Sequence, residues 1–86
     1  MKMLETGSKV IVRTVTHYHT GRVVEVDQGF LVLEEAAWIA DTGRWGKCLE
    51  HGTLVEVEPF PGQVAVAMAS IVDITPWEHD LPRKAK

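Results

Sequence analysis

Apolar and polar residues alternate with a period of two along most of the chain, and that period predicts strands. Residues 10–15 are mostly β-branched with Arg13 as the one charge, which suits a strand buried on one face and partly covered on the other. His17-Tyr18-His19-Thr20-Gly21 reads as the turn that closes it, and in residues 22–27 Val24 and Val26 alternate with Glu25 and Asp27. Gln28-Gly29 supplies a tight turn, since glycine tolerates the positive φ that hairpins demand. Residues 30–35 form a third strand with Leu31 and Leu33 on one face, prolonged by the apolar run 36–40.

At Asp41-Thr42-Gly43 the period changes. Asp41 or Thr42 is placed to cap a helix, Trp45, Cys48 and Leu49 fall at helical spacing, and Gly52 offers a stop, which predicts one short helix near 43–51. Residues 54–58 alternate again, with Val55 and Val57 inward, until Pro59-Phe60-Pro61-Gly62 forces a turn. In the next strand Val64, Val66 and Met68 share one face and Ala65, Ala67 and Ala69 the other. A two-residue break at Ala69-Ser70 precedes a last strand over 71–74, which Pro76 ends.

The pattern predicts an all-β fold with one short helix, a strongly bent barrel of five or six strands over residues 9–77. Residues 1–8 form a lead-in whose Met3-Leu4 pair docks on a barrel end, and residues 78–86, with proline and basic residues, are expected to be disordered. Eighty-six residues make one domain of modest stability, for which oligomerisation is a natural supplement. Nine basic against twelve acidic residues give a net charge of −3, which argues against a broad electrostatic embrace of nucleic acid but leaves room for a local basic rim. The single Cys48 excludes an internal disulfide, and no apolar run is long enough to span a membrane, so a reducing, cytoplasmic setting is expected, with no membrane partner.

Two stretches carry a family resemblance. Val10-x-Val12, Gly21-x-Val23, Val26-Asp27 and Leu31-x-Leu33 resemble the first signature of Sm-like proteins. The strand, short break and strand over 64–74 resemble the second. Arg13-Thr14-Val15-Thr16-His17-Tyr18, Ala37-Trp38-Ile39-Ala40-Asp41-Thr42-Gly43-Arg44 and Ile71-Val72-Asp73 further resemble a group of short phage and prophage proteins. The resemblance implies a small SH3-like barrel that assembles as a cyclic homo-oligomer through its last two strands, with Val64, Val66, Met68, Ile71 and Ile74 at the contact. It also implies an RNA site built from the loop between the second and third strands and the loop before the last. Sm-like proteins place a stacking residue and an asparagine in the first loop and an Arg-Gly pair in the second. Here the first is Asp27-Gln28-Gly29-Phe30 and the second Met68-Ala69-Ser70, so the asparagine and the Arg-Gly pair are missing.

Several residues are candidates for contact with RNA or single-stranded nucleic acid. Gln28 can hydrogen-bond a base edge and Phe30 can stack on one, although an aromatic that begins a strand ordinarily belongs to the core. His17, Tyr18 and His19, with Arg13 and Arg22 in the same hairpin, can offer stacking and phosphate contact around the barrel mouth. His17 and His19 point to one side, but two ligands do not make a metal site without a third from Cys48, His51 or His79. Asp41-Thr42-Gly43 resembles the active-site triplet of aspartic proteases, whose dimers pair two aspartates, but Arg44 and Trp45 depart from that pattern and a helix cap accounts for the triplet. Trp38 and Trp45 are expected in the core or at a subunit contact, and Trp77 is expected to fold the tail back onto the barrel. No cofactor motif or catalytic spacing is present, so the expectation is a non-enzymatic ring that binds nucleic acid, or alternatively one that binds an unknown protein partner.

Overall fold

The computed structural model describes residues 2–86. Six antiparallel strands, β1 (Lys9–Thr14), β2 (Tyr18–Asp27), β3 (Phe30–Asp41), β4 (Glu56–Pro59), β5 (Val64–Ala67) and β6 (Ile71–Pro76), form one sheet, with helix α1 (Trp45–His51) between β3 and β4. The sheet runs β4-β3-β2-β1-β6, and β5 also pairs with β3. On the side of β3 away from β2, Phe30 to Leu33 pair with β5, while Ala37 to Asp41 pair with β4.

What bends this sheet is a set of extra residues. Thr20 stands opposite Ala37, yet Arg22 stands opposite Glu34, so β3 carries one residue more than β2 and Glu35 takes φ 49°. The insertion inverts the side-chain parity of β3. Leu31 and Leu33 lie in one apolar cluster with Ala36, whereas Ala37 and Ile39 lie in the other. Gly21 faces this bulge, where a Cβ would come within 3.0 Å of the Leu33 Cβ and 3.3 Å of the Ala36 Cβ. Further register shifts fall between Val23 and Glu25, between Ile39 and Asp41, and opposite Arg13/Thr14.

The sheet is therefore apolar on both faces. Val10, Val12, Val23, Leu31, Leu33, Ala36 and Val66 form one cluster, flanked by Met3 and Leu4 of a 3-10 turn at Lys2–Leu4 that docks as expected. Ile11, Ala37, Ile39, Cys48, Leu54, Val57, Trp77 and Leu81 form the other, which α1 and the C-terminal tail cover. The unbroken apolar run at the start of β1 follows, because Val10 and Val12 serve one cluster and Ile11 the other.

Three local expectations are corrected. Tyr18 to Gly21 already belong to β2, and the turn lies at Val15-Thr16-His17, because Thr14 closes it from both sides. The Thr14 N–H and Oγ1 both donate to the His17 carbonyl, at 2.8 and 2.7 Å, and Oγ1 accepts from the His17 N–H at 3.1 Å. Neither Asp41 nor Thr42 caps α1. Asp41 Oδ1 accepts the Gly43 N–H at 2.8 Å, and the chain then passes through Gly43 at φ 68° before the helix begins at Trp45. Gly52 does stop α1, in the left-handed region with its N–H on the Cys48 carbonyl. Val55 is 53% exposed, since β4 starts one residue later and the Val55 N–H goes to the Asp41 carbonyl.

Residues 78–86, expected to be disordered, instead dock along the barrel. Trp77 and Leu81 are buried, the Trp77 indole donates to the Asp80 carbonyl at 3.1 Å, and the His79 ring lies against Trp77 and bonds the Leu49 carbonyl through Nε2 at 2.8 Å. Farther on, Val57 and Lys86 exchange two backbone hydrogen bonds of 2.9 and 3.0 Å. Buried apolar anchors and a strand edge in need of partners outweigh the local signal of proline and charge.

Candidate functional site

Strand β2 separates the candidate residues into two ends. His17, Tyr18 and His19 lie where it begins, and Gln28 and Phe30 lie beyond its far end, roughly 30 Å of extended chain away. Arg13 stands opposite Tyr18, but Arg22 stands opposite Lys9, near the other end of β1. Along the chain the expected constellation is split in this way, but the bend of the sheet brings the two ends back toward each other: the Val15 N–H donates to the Ser70 carbonyl at 3.1 Å, and His17 and His19 line one cavity with Ala67, the strand partner of Phe30.

At the first end, His19 is almost wholly buried and stacks on Phe60 at 5.8 Å between ring centroids. His17 lies 4.9 Å from His19 and edge-on to Trp38 at 5.5 Å, with its Nδ1 on the Thr16 hydroxyl. Burial, and secondarily the neighbouring His17, lowers the His19 pKa to about 4, so its imidazole is neutral near pH 7. Among the described residues, His19 Nδ1 and Trp38 Nε1 are buried without a hydrogen-bond partner. Tyr18 points to the opposite face, stacked on Trp45 at 5.3 Å and packed on the cluster beneath α1. The Arg13 guanidinium is held by Asp73 of β6, through Nε at 3.0 Å and through NH2, and this pairing raises its pKa. These side chains are occupied in packing and pairing. Trp38 and Phe60 complete the ring cluster, and reading the sequence did not connect them to it. Trp38 is joined to His19 only by strand register, and Phe60 sits in a Pro-Phe-Pro turn that arrives from the far side of α1.

No group of three His, Cys, Asp or Glu side chains able to hold a metal occurs among the described residues. Each potential third donor to His17 and His19 is engaged elsewhere: Cys48 is buried beneath α1, His51 lies beside Glu50, and His79 is bound to Leu49. Burial also raises the Cys48 pKa, which opposes thiolate formation. No helix among the described residues is long and apolar enough to cross a membrane.

The second end has a different character. Gln28 is exposed at φ 49°, Phe30 is 45% exposed rather than in the core, and Val26 is similarly exposed. Phe30 is outward because it pairs with Asp27 across a two-residue turn and precedes Leu31, whose side chain takes the inward position. The Met68 N–H donates to the Gly29 carbonyl at 2.9 Å, which ties the β2–β3 turn to the 3-10 turn Met68–Ser70. The two loops singled out by the family resemblance therefore meet.

The five residues expected at a subunit contact turn their side chains toward the core. Val66 is 5% exposed, and Val64, Met68, Ile71 and Ile74 are half-buried against the same cluster. What β5 and β6 leave open is backbone: each pairs with one strand only, β3 and β1 respectively. Val15 and Val72, 77% and 56% exposed, are the apolar side chains standing free near the β6 edge.

No protein-family model and no curated protein matches the chain. Solved structures do. A heptameric archaeal Sm protein is 25% identical, with a TM-score of 0.59 over 81% of this chain and 85% of that one. The Pyrococcus abyssii Sm protein, whose structure is of a complex with a uridine heptamer, is 19% identical, with a TM-score of 0.58 over 83% of this chain and 84% of that one. The fold is that of Sm proteins, as the two signatures implied.

Proposed function

We propose that this chain is the subunit of a closed, non-enzymatic Sm-type ring that binds RNA. The observation that carries the reading is the pair of unpartnered strand edges. The chain covers the outer edge of β4 with its own tail but leaves β5 and β6 open. A small barrel with two open edges satisfies both at once when the β6 edge of one subunit adds to the β5 edge of the next. Exposed Val15 and Val72 would supply apolar contact beside that seam. The likeness to a heptameric Sm protein and to one in complex with a uridine heptamer supports both ring and ligand.

Repeated around such a ring, Gln28 and Phe30 would present one hydrogen-bonding and one stacking group per subunit, and weak contacts would sum by avidity. Resemblance to short phage and prophage proteins supports a phage-borne origin, and the lone buried thiol of Cys48 fits a reducing cytoplasm. A second reading, a ring that binds protein, is favoured by the missing asparagine and Arg-Gly pair and by exposed Glu56 and Glu58 on β4.

Native mass spectrometry of protein purified without nuclease tests both parts. A multiple of the subunit mass, with heterogeneous added mass that RNase removes, is the expected outcome. A clean ring would turn the assignment to the protein-binding reading, and a monomer would overturn the ring itself.

A further inference from the structure

The charge of this chain is unevenly placed. A cleft of about 640 Å3 opens between the C-terminal tail and the barrel, and Lys9, Arg22, Arg83, Lys84 and Lys86 line it. These are five of the nine basic residues in a chain of net charge −3, while Asp80 is the one acidic residue among the twelve that lines the same cleft. At physiological salt, charges farther apart than about 8 Å are largely screened, so a phosphate in the cleft would feel this local excess and little of the overall negative charge.

The partners of these cations leave most of the charge uncompensated. Lys9 Nζ donates to the His79 carbonyl at 2.6 Å, which fixes the ammonium without neutralising it. Arg22 Nε and Arg83 NH2 share the single carboxylate of Glu35, at 2.9 and 3.1 Å. One negative charge thus holds two guanidinium groups, each with further N–H donors available to an anion. Lys84 and Lys86 are exposed, and neither makes an ion pair among the described residues.

The cleft exists only because the tail docks. At Gly52, φ is 74° and a Cβ would come within 2.6 Å of the His79 ring, so the absence of a side chain there admits the strap that brings residues 83–86 beside Lys9 and Arg22. Leu54 and Leu81 contribute apolar lining, and no aromatic side chain lines the cleft. It offers cations spread along an open channel and no stacking platform.

We infer that the tail–barrel cleft is a phosphate-binding site that holds the backbone of single-stranded nucleic acid without regard to base. The phosphate chemistry stands on the cleft itself, while the nucleic acid as its source rests on the function proposed above. The site is separate from the β2–β3 turn, where Gln28 and Phe30 would read bases.

The test measures the affinity of fluorescein-labelled oligouridylate and oligoadenylate of equal length for the full chain and for Lys84→Glu/Lys86→Glu. Both substitutions lie at exposed positions. In parallel, amide NMR follows Gly52 and Lys84 during titration with tripolyphosphate. The expected result is about tenfold or greater loss in the variant, by the same factor for both oligonucleotides, and a salt slope shallower by roughly 0.7 for each phosphate contact removed. Lys84→Gln/Lys86→Gln should lose less. Undiminished binding by the charge-reversed variant would overturn the cleft and leave the RNA-binding ring standing. Absence of oligonucleotide binding, with tripolyphosphate still shifting Gly52 and Lys84, would overturn the ring's proposed ligand and uphold the cleft as a site for free phosphates. If neither probe acts, both assignments fall.

Discussion

The β4 side of the barrel and the β5–β6 side treat the same problem in opposite ways. Both end in a strand whose outer backbone groups need partners. On the β4 side the chain supplies them itself: the tail crosses α1, buries Trp77 and Leu81, and pairs Lys86 with Val57. On the β5–β6 side the chain ties the connecting 3-10 turn through the Val15 N–H and the Ser70 carbonyl, but no strand among the described residues pairs with the outer edges of β5 and β6. In the proposed ring, closing one edge and leaving two open would direct association to a chosen side. The difference explains why the side chains of Val64, Val66, Met68, Ile71 and Ile74 can all face inward while their strands remain available to a neighbour.

The sharpest way to break the closed side is Trp77→Ala. Removing this buried indole, which anchors the tail between α1 and β1, should cost roughly 3–5 kcal/mol in denaturant unfolding and render residues 78–86 susceptible to limited proteolysis. A stable variant with a protected tail would show that Leu81, His79 and the Val57–Lys86 pairing hold the strap without the indole.

The open side has its own sensitivity, to pH. His19 is neutral in the folded state down to about pH 4, whereas an unfolded histidine takes up a proton near 6.5. Between those values the unfolded state binds more protons, so stability should be fully present above about pH 6.5 and decline by up to about 3 kcal/mol as pH falls toward 4. Chemical denaturation across that range should show the decline, and His19→Phe should flatten it. An unchanged slope in the variant would assign the acid sensitivity to another group.

The smallest expected change in stability belongs to Val72→Lys, on the exposed edge of β6. Monomer stability should move by no more than about 0.5 kcal/mol, while a lysine on an edge strand opposes pairing with another chain. Native mass should therefore shift from ring to single subunit. Persistence of the ring would place the contact elsewhere.

The two sides also differ in how far the sequence reveals them. Period-two alternation and runs of β-branched residues located the six strands, and the helical spacing of Trp45, Cys48 and Leu49 with the Gly52 stop located α1, because burial governs each element. Alternation could not reveal the Glu35 bulge, since one inserted residue reverses parity without altering composition. Trp77 does fold the tail back as expected, but the docking of residues 78–86 beyond it was not legible, because Leu81 and the backbone of Lys86 find their partners through tertiary contact and follow no period. For the same reason Lys9, Arg22 and residues 83–86 gave no sign of forming one basic surface, lying as they do in three separate parts of the chain. The loop pair was legible, because its two halves coincide with turn signals, although the outward position of Phe30 was not.

The pairing of β1 with β6 gives folding a definite order. Arg13 meets Asp73, 60 positions further along the chain, so the second partner of β1 is made after the other five strands described. Contacts so distant in sequence slow closure, because the loop entropy is lost before the contacts form. The barrel cannot close on an incomplete chain, and the β6 edge does not exist until it closes. In the proposed ring, a chain still lacking β6 could not enter through that edge, so synthesis itself would set when assembly begins.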